Sequence, residues 1–89
     1  SDVYKRQAVL RYNGKTTVKA DNKTKYRCLE LAYIERKPNS KPKEIARFFV
    51  TDDANHVPVR IDMNLKFGSA KAFLVGMKGL RSAVGSNAQ

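Results

Sequence analysis

The one histidine, His56, follows closely on an acidic pair, Asp52-Asp53, and no other stretch gathers chemically active side chains as densely. An imidazole beside two carboxylates could hold a metal or act as a base. A metal centre needs three or four converging ligands, and an imidazole base usually needs a nucleophile it can reach. The chain has one histidine and one cysteine in 89 residues, so neither set is completed. Asp52 and Asp53 also fail as a glycosidase pair, because adjacent residues do not flank a substrate from both sides. Thr51 to His56 is dense in side chains that bond their own backbone amides, so Asp52, Asp53 and His56 read as structural turn residues. Gly14, Gly68, Gly76, Gly79 and Gly85 are isolated, and no phosphate loop, nucleophile elbow or dinucleotide fingerprint occurs. The expectation is a chain with no enzymatic activity, no cofactor and no metal.

Charge leaves a second possibility. Eighteen Lys and Arg against eight Asp and Glu give a net charge of +10. Such an excess suits nucleic acid, anionic lipid or an acidic glycan. The basic residues are nevertheless scattered and never form a run of five, as on an ordinary solvated surface. Cys28 is alone, so these residues contain no disulfide; a small buried side chain in a strand is its expected role.

The elements that position these groups are strands. Val57 to Phe67 is apolar at every odd position and polar or proline at every even one. Such alternation marks a β-strand with one dry face, since a helix would scatter the same side chains around its axis. Gly68-Ser69 ends this strand and Ala70–Met77 returns. A three-residue loop, Lys66-Phe67-Gly68 with Gly68 left-handed, pairs Ile61 with Phe73, Val59 with Val75 and Val57 with Met77, and is favoured over a loop that sets Lys66 against Lys71. Upstream, Tyr26–Glu35 is a long strand with apolar groups on both faces. Phe48 and Phe49 of Glu44–Val50 point to opposite sides. Arg36–Lys43 is a loop rich in proline. Asn13-Gly14 between Ala8–Tyr12 and Lys15–Ala20 carries the strongest two-residue hairpin signal. Pro58 lacks an amide donor and belongs at a sheet edge or beyond the ladder. The expected fold is all-β: an antiparallel meander of about six strands, forming a curled sheet or half-barrel.

Residues 1–7, SDVYKRQ, are what TCA GAT GTG TAT AAG AGA CAG encodes, and that string resembles a transposase-type sequencing adapter. They are therefore set aside as a scar, and the remainder is expected to be a truncated metagenomic fragment. Residues 8–81 are read as one β domain, the C-terminal part of a larger one, and 82–89 as a tail. The missing N-terminal half would then be a partner of this sheet.

YRCLELAYIE, the block KEIARFFVTDDANHVPVRIDMNLKFGSAKAFL, and KGLR resemble the domain-of-unknown-function family numbered 3108, a group of exported bacterial proteins. The matching features are the Asp-Asp turn after Val50, the Pro-Val-Arg strand at 58–60 and the Gly-Ser-Ala-Lys-Ala return at 68–72. The resemblance implies a periplasmic or envelope-associated β protein, similar to the half-barrel of envelope lipoprotein carriers, and brings no catalytic residues.

Two binding roles remain. The first is an apolar ligand, a lipid or another envelope component held on the concave side of the sheet by Ile61, Met63, Leu65 and Phe73. The alternative is nucleic acid or another polyanion on a basic face, with Tyr26, Tyr33 or Phe48 stacking on bases. Against the alternative stand lysines placed largely in turns and the lack of a recognisable nucleic-acid module.

Overall fold

A computed structural model describes residues 6–21, 23–74 and 87–88. The strands are β1 (Gln7–Lys19), β2 (Lys25–Arg36), β3 (Lys43–Thr51), β4 (Pro58–Leu65), β5 (Gly68–Phe73) and β6 (Asn87–Ala88). The first five pair in sequence order as an antiparallel meander, and β6 pairs with Lys25 and Tyr26 of β2. The sheet is open, with β1 and β5 at the ends of the path. No helix occurs among the described residues, so none there could cross a membrane, which says nothing of a β-barrel.

Asn13-Gly14 does not turn the chain. β1 continues through it for 13 residues, and Asn13 becomes an extra residue between the Tyr12–Leu31 and Gly14–Glu30 pairs. Gly14 has a φ of 105°, a conformation open to glycine at little cost, and a bulge uses it as readily as a hairpin does. The first two expected strands are thus one. Within the stretch read as a tail, Asn87–Ala88 form β6, while Gln7, within the stretch set aside as a scar, opens β1 opposite Arg36.

Alternation assigns the side chains of β2 to two faces. Tyr26, Cys28, Glu30 and Ala32 share one face with Thr51, Phe49 and Arg47 of β3. Leu29, Leu31 and Tyr33 share the other with Val50, Phe48 and Ala46. The first face is dry towards the β1–β2 and β3–β4 turns, where Val18, Ala20, Tyr26, Cys28, Phe49 and Val59 form a buried cluster. Val59, Cys28 and Thr51 have no exposed surface at all.

A second bulge divides the long alternating stretch. Phe49 pairs with Arg60 and Val50 with Pro58, leaving Val59 as the extra residue. Val57 and Val59 are buried on the side of Thr51 and Phe49, whereas Ile61 and Met63 pair with Phe48 and Ala46 on the other side. The single dry face expected from Val57 to Phe67 is therefore two half-faces, and Leu65 (54%) and Phe67 (90%) are exposed. Pro58 opens β4 at the start of its ladder.

The β4–β5 register also differs from expectation. Leu65 pairs with Gly68, Ile61 with Ala72 and Arg60 with Phe73, so the loop is the two residues Lys66-Phe67. Gly68, with φ 108°, takes the left-handed conformation just after the turn. Phe73 consequently lies on the side of Arg60 and Asp62, away from Ile61. The expected partners Val75 and Met77 lie outside the described residues.

Candidate functional site

The face opposite the buried cluster carries an apolar depression of about 450 Å³, within the range of roughly 300–1,000 Å³ usual for small-molecule sites. Its wall comprises Leu10 of β1, Leu31 and Tyr33 of β2, Phe48 and Val50 of β3, Pro58 and Ile61 of β4, and Leu74, with no polar atom exposed in it. Four adjacent strands and the residue after β5 reach one hollow only if the sheet bends around it. The alternation of β2 and β3 supplies the floor: Leu31 pairs with Phe48, and Val50 follows on the same face. The Val59 bulge supplies one wall, because it returns Pro58 to the same side as Ile61. Leu74 is held by its amide donating to the Val59 carbonyl at 2.9 Å.

Of the four residues expected to contact an apolar ligand, Ile61 lines this hollow. Met63 and Leu65 are on the same face farther along β4, outside the wall. Phe73 is on the opposite face. Leu10, Leu31, Tyr33, Phe48, Val50, Pro58 and Leu74 complete the wall, and the sequence reading names none of them as an apolar-ligand contact. The available signal was the second apolar set in Tyr26–Glu35, whose Leu31 and Tyr33 share a face. Tyr26, one of the proposed base-stacking residues, is buried in the core cluster, while Tyr33 and Phe48 sit in a hydrocarbon wall.

The polar residues are committed to one another. Thr51 donates from its hydroxyl to Asp53 Oδ1 at 2.8 Å and accepts the Val57 amide at 2.8 Å. Asp53 Oδ1 also accepts the amides of Asn55 (2.9 Å) and His56 (3.2 Å), so this carboxylate organises the β3–β4 turn. Asp52 forms an ion pair with Lys15 at 3.2 Å, and the His56 ring nitrogen lies 3.4 Å from the Thr51 carbonyl oxygen. Among the described residues no three His, Cys, Asp or Glu side chains converge as a metal site would require.

A second, polar hollow of about 230 Å³ lies between Glu44, Arg47, Asp62, Asn64 and the start of β5. Arg47 donates to Glu44 at 3.0 Å and to Glu30 at 3.3 Å, and its hydrogen bond to Glu44 raises its pKa. Arg60 Nη2 donates to Asp62 Oδ2 at 3.1 Å. Its Nε lies 2.8 Å from Oδ1 as an ionic contact outside hydrogen-bond alignment. The Arg60 guanidinium also stacks over the Phe49 ring at 4.3 Å. Burial, partly offset by Arg60, pushes the Cys28 thiol up to about 11, so the nucleophilic thiolate is scarce at neutral pH.

Fold and surface together define an antiparallel β-meander with one face buried towards the β1–β2 and β3–β4 turns and polar beyond them, and one open apolar face. The family described as "Protein of unknown function (DUF3108)" matches residues 2–75, and the chain belongs to that family. No curated protein and no solved structure matches it.

Proposed function

We propose that this is a non-catalytic, exported envelope protein that binds an apolar ligand, a lipid acyl chain being the chemistry that fits best, in the hollow between Leu10 and Leu74. The observation that carries this reading is a concave wall with no exposed polar atom. An uncovered apolar surface of this kind forgoes about 25 cal/mol for each Å² that a hydrocarbon partner would remove from water. An aqueous charged substrate finds no hydrogen-bonding group there to orient it. The location is supported by the resemblance of the Asp-Asp turn and Pro-Val-Arg strand to exported proteins.

Titration with an environment-sensitive fluorescent fatty acid tests the reading. The full chain is expected to bind it saturably. Leu31→Asp should abolish the signal, and Phe73→Ser, on the opposite face, should leave it unchanged. A non-saturating titration, or equal binding by Leu31→Asp, rejects the hollow as the site.

A further inference from the structure

The most exposed large apolar side chain described is not in the hollow. Phe67 is 90% exposed at the β4–β5 turn, next to Leu65 at 54%. The two-residue turn carries Phe67 beyond the last strand pair, Leu65–Gly68, and Lys66 places its ammonium 5.6 Å from the Phe67 ring centroid. Antiparallel pairing puts this tip at the same end of the sheet as the β2–β3 loop, because the end of β4 lies beside the beginning of β3. Strands lie about 4.8 Å apart, so the loop is within roughly 10 Å of the tip across the sheet.

That end is strongly basic. Arg6, Arg36, Lys37, Lys41, Lys43 and Lys66 stand there against the carboxylates of Glu35 and Glu44. At the opposite end Lys15, Lys19, Lys23, Lys25 and Arg27 are set against Asp21, Asp52 and Asp53, a smaller excess. Lys37, Lys41, Lys43 and Ser40, with Glu35, also line a hollow of about 180 Å³.

We infer that the β4–β5 tip docks the protein on an anionic lipid bilayer, with Phe67 and Leu65 entering the interface and the Lys37–Lys43 loop receiving lipid phosphates. A protruding aromatic flanked by lysines suits the bilayer boundary: the ring leaves water while the ammonium groups stay among the headgroups. Lysines near an anionic surface each add attraction that salt screens. From the tip, Leu65, Met63 and Ile61 follow one another along the open face of β4 to the hollow. This gives hydrocarbon a continuous path from the membrane to the ligand site. Docking does not require the hollow to carry a ligand and goes beyond that reading.

The test is co-sedimentation of the full chain with vesicles of equal parts phosphatidylglycerol and phosphatidylcholine, against vesicles of phosphatidylcholine alone. The wild-type chain should pellet with the anionic vesicles and release as salt rises from about 0.02 M to about 0.3 M. Phe67→Ser, which removes an exposed side chain, should lower partitioning by about tenfold or more. The double variant Lys41→Glu/Lys43→Glu should abolish the preference for anionic vesicles. Unchanged partitioning of Phe67→Ser, no anionic preference in the wild type, or a preference kept by the lysine variant would each overturn the assignment. Phe67→Ser should still bind the fluorescent fatty acid, so failure at the membrane is distinguishable from failure of the ligand site.

Discussion

The two faces of β2 and β3 are built from one alternating sequence, yet they have opposite fates. Cys28, Phe49 and Thr51 are shut away from water with their polar atoms partnered. Leu31, Phe48 and Val50, one pleat out of phase, wall an open hollow. The contrast teaches that stability and recognition are divided by parity along the same strands. Adjacent residues can therefore be substituted to disturb one without the other.

Phe48 and Phe49 make the sharpest comparison. Phe49→Ala empties a buried site and should destabilise the fold by about 3–5 kcal/mol, seen as a lower urea midpoint at an unchanged slope. Phe48→Ala should cost less than half as much while weakening binding of the fluorescent fatty acid. Equal losses of stability would erase the distinction between the faces.

Alkaline pH probes the buried face alone. An unfolded chain releases the Cys28 proton near 9.0, whereas the folded chain holds it to about 11. Between those values the folded state binds more protons, so stability contributed by the protonated thiol is present below pH 9 and lost as pH rises. The slope is at most about 1.4 kcal/mol per pH unit. Subtracting the alkaline denaturation curve of Cys28→Ala from that of the wild type should isolate this slope; parallel curves would contradict it.

Gly14→Ala should show the smallest effect, about 1–2 kcal/mol, from placing a Cβ in a left-handed backbone. An added Cβ would meet nothing within 4 Å, so strain alone is measured. Fatty-acid binding should survive it, as Gly14 lies on the side of Glu30.

The strands themselves were readable from the sequence; their irregularities were not. Val57 to Phe67 announces a strand because a two-residue period is a local property. The bulge at Val59 follows from how β4 fits β3, a nonlocal match, and it sends Val59 and Ile61 to opposite sides. Asn13-Gly14 was legible as a site of positive φ, but a turn and a bulge need the same backbone there. The length of the partner strand decides: β2 offers twelve residues, and a continuous β1 satisfies them from Gln7 to Lys19. The β4–β5 register turned on a single residue, enough to move Phe73 out of the candidate site. The open hollow depends on curvature and on four strands at once, so only fragments such as Leu31 and Tyr33 could be seen in advance.

The extra residue at Asn13 also bears on the outer border of β1, which pairs with nothing among the described residues beyond β2. A straight ribbon of 13 residues would be an inviting template for another chain to zip against. The dent at Asn13-Gly14 divides that template into two short runs whose amides fall out of step. A newcomer in register with Gln7–Tyr12 would be out of register with Gly14–Lys19, so the irregularity shortens the stretch over which one added strand can stay paired.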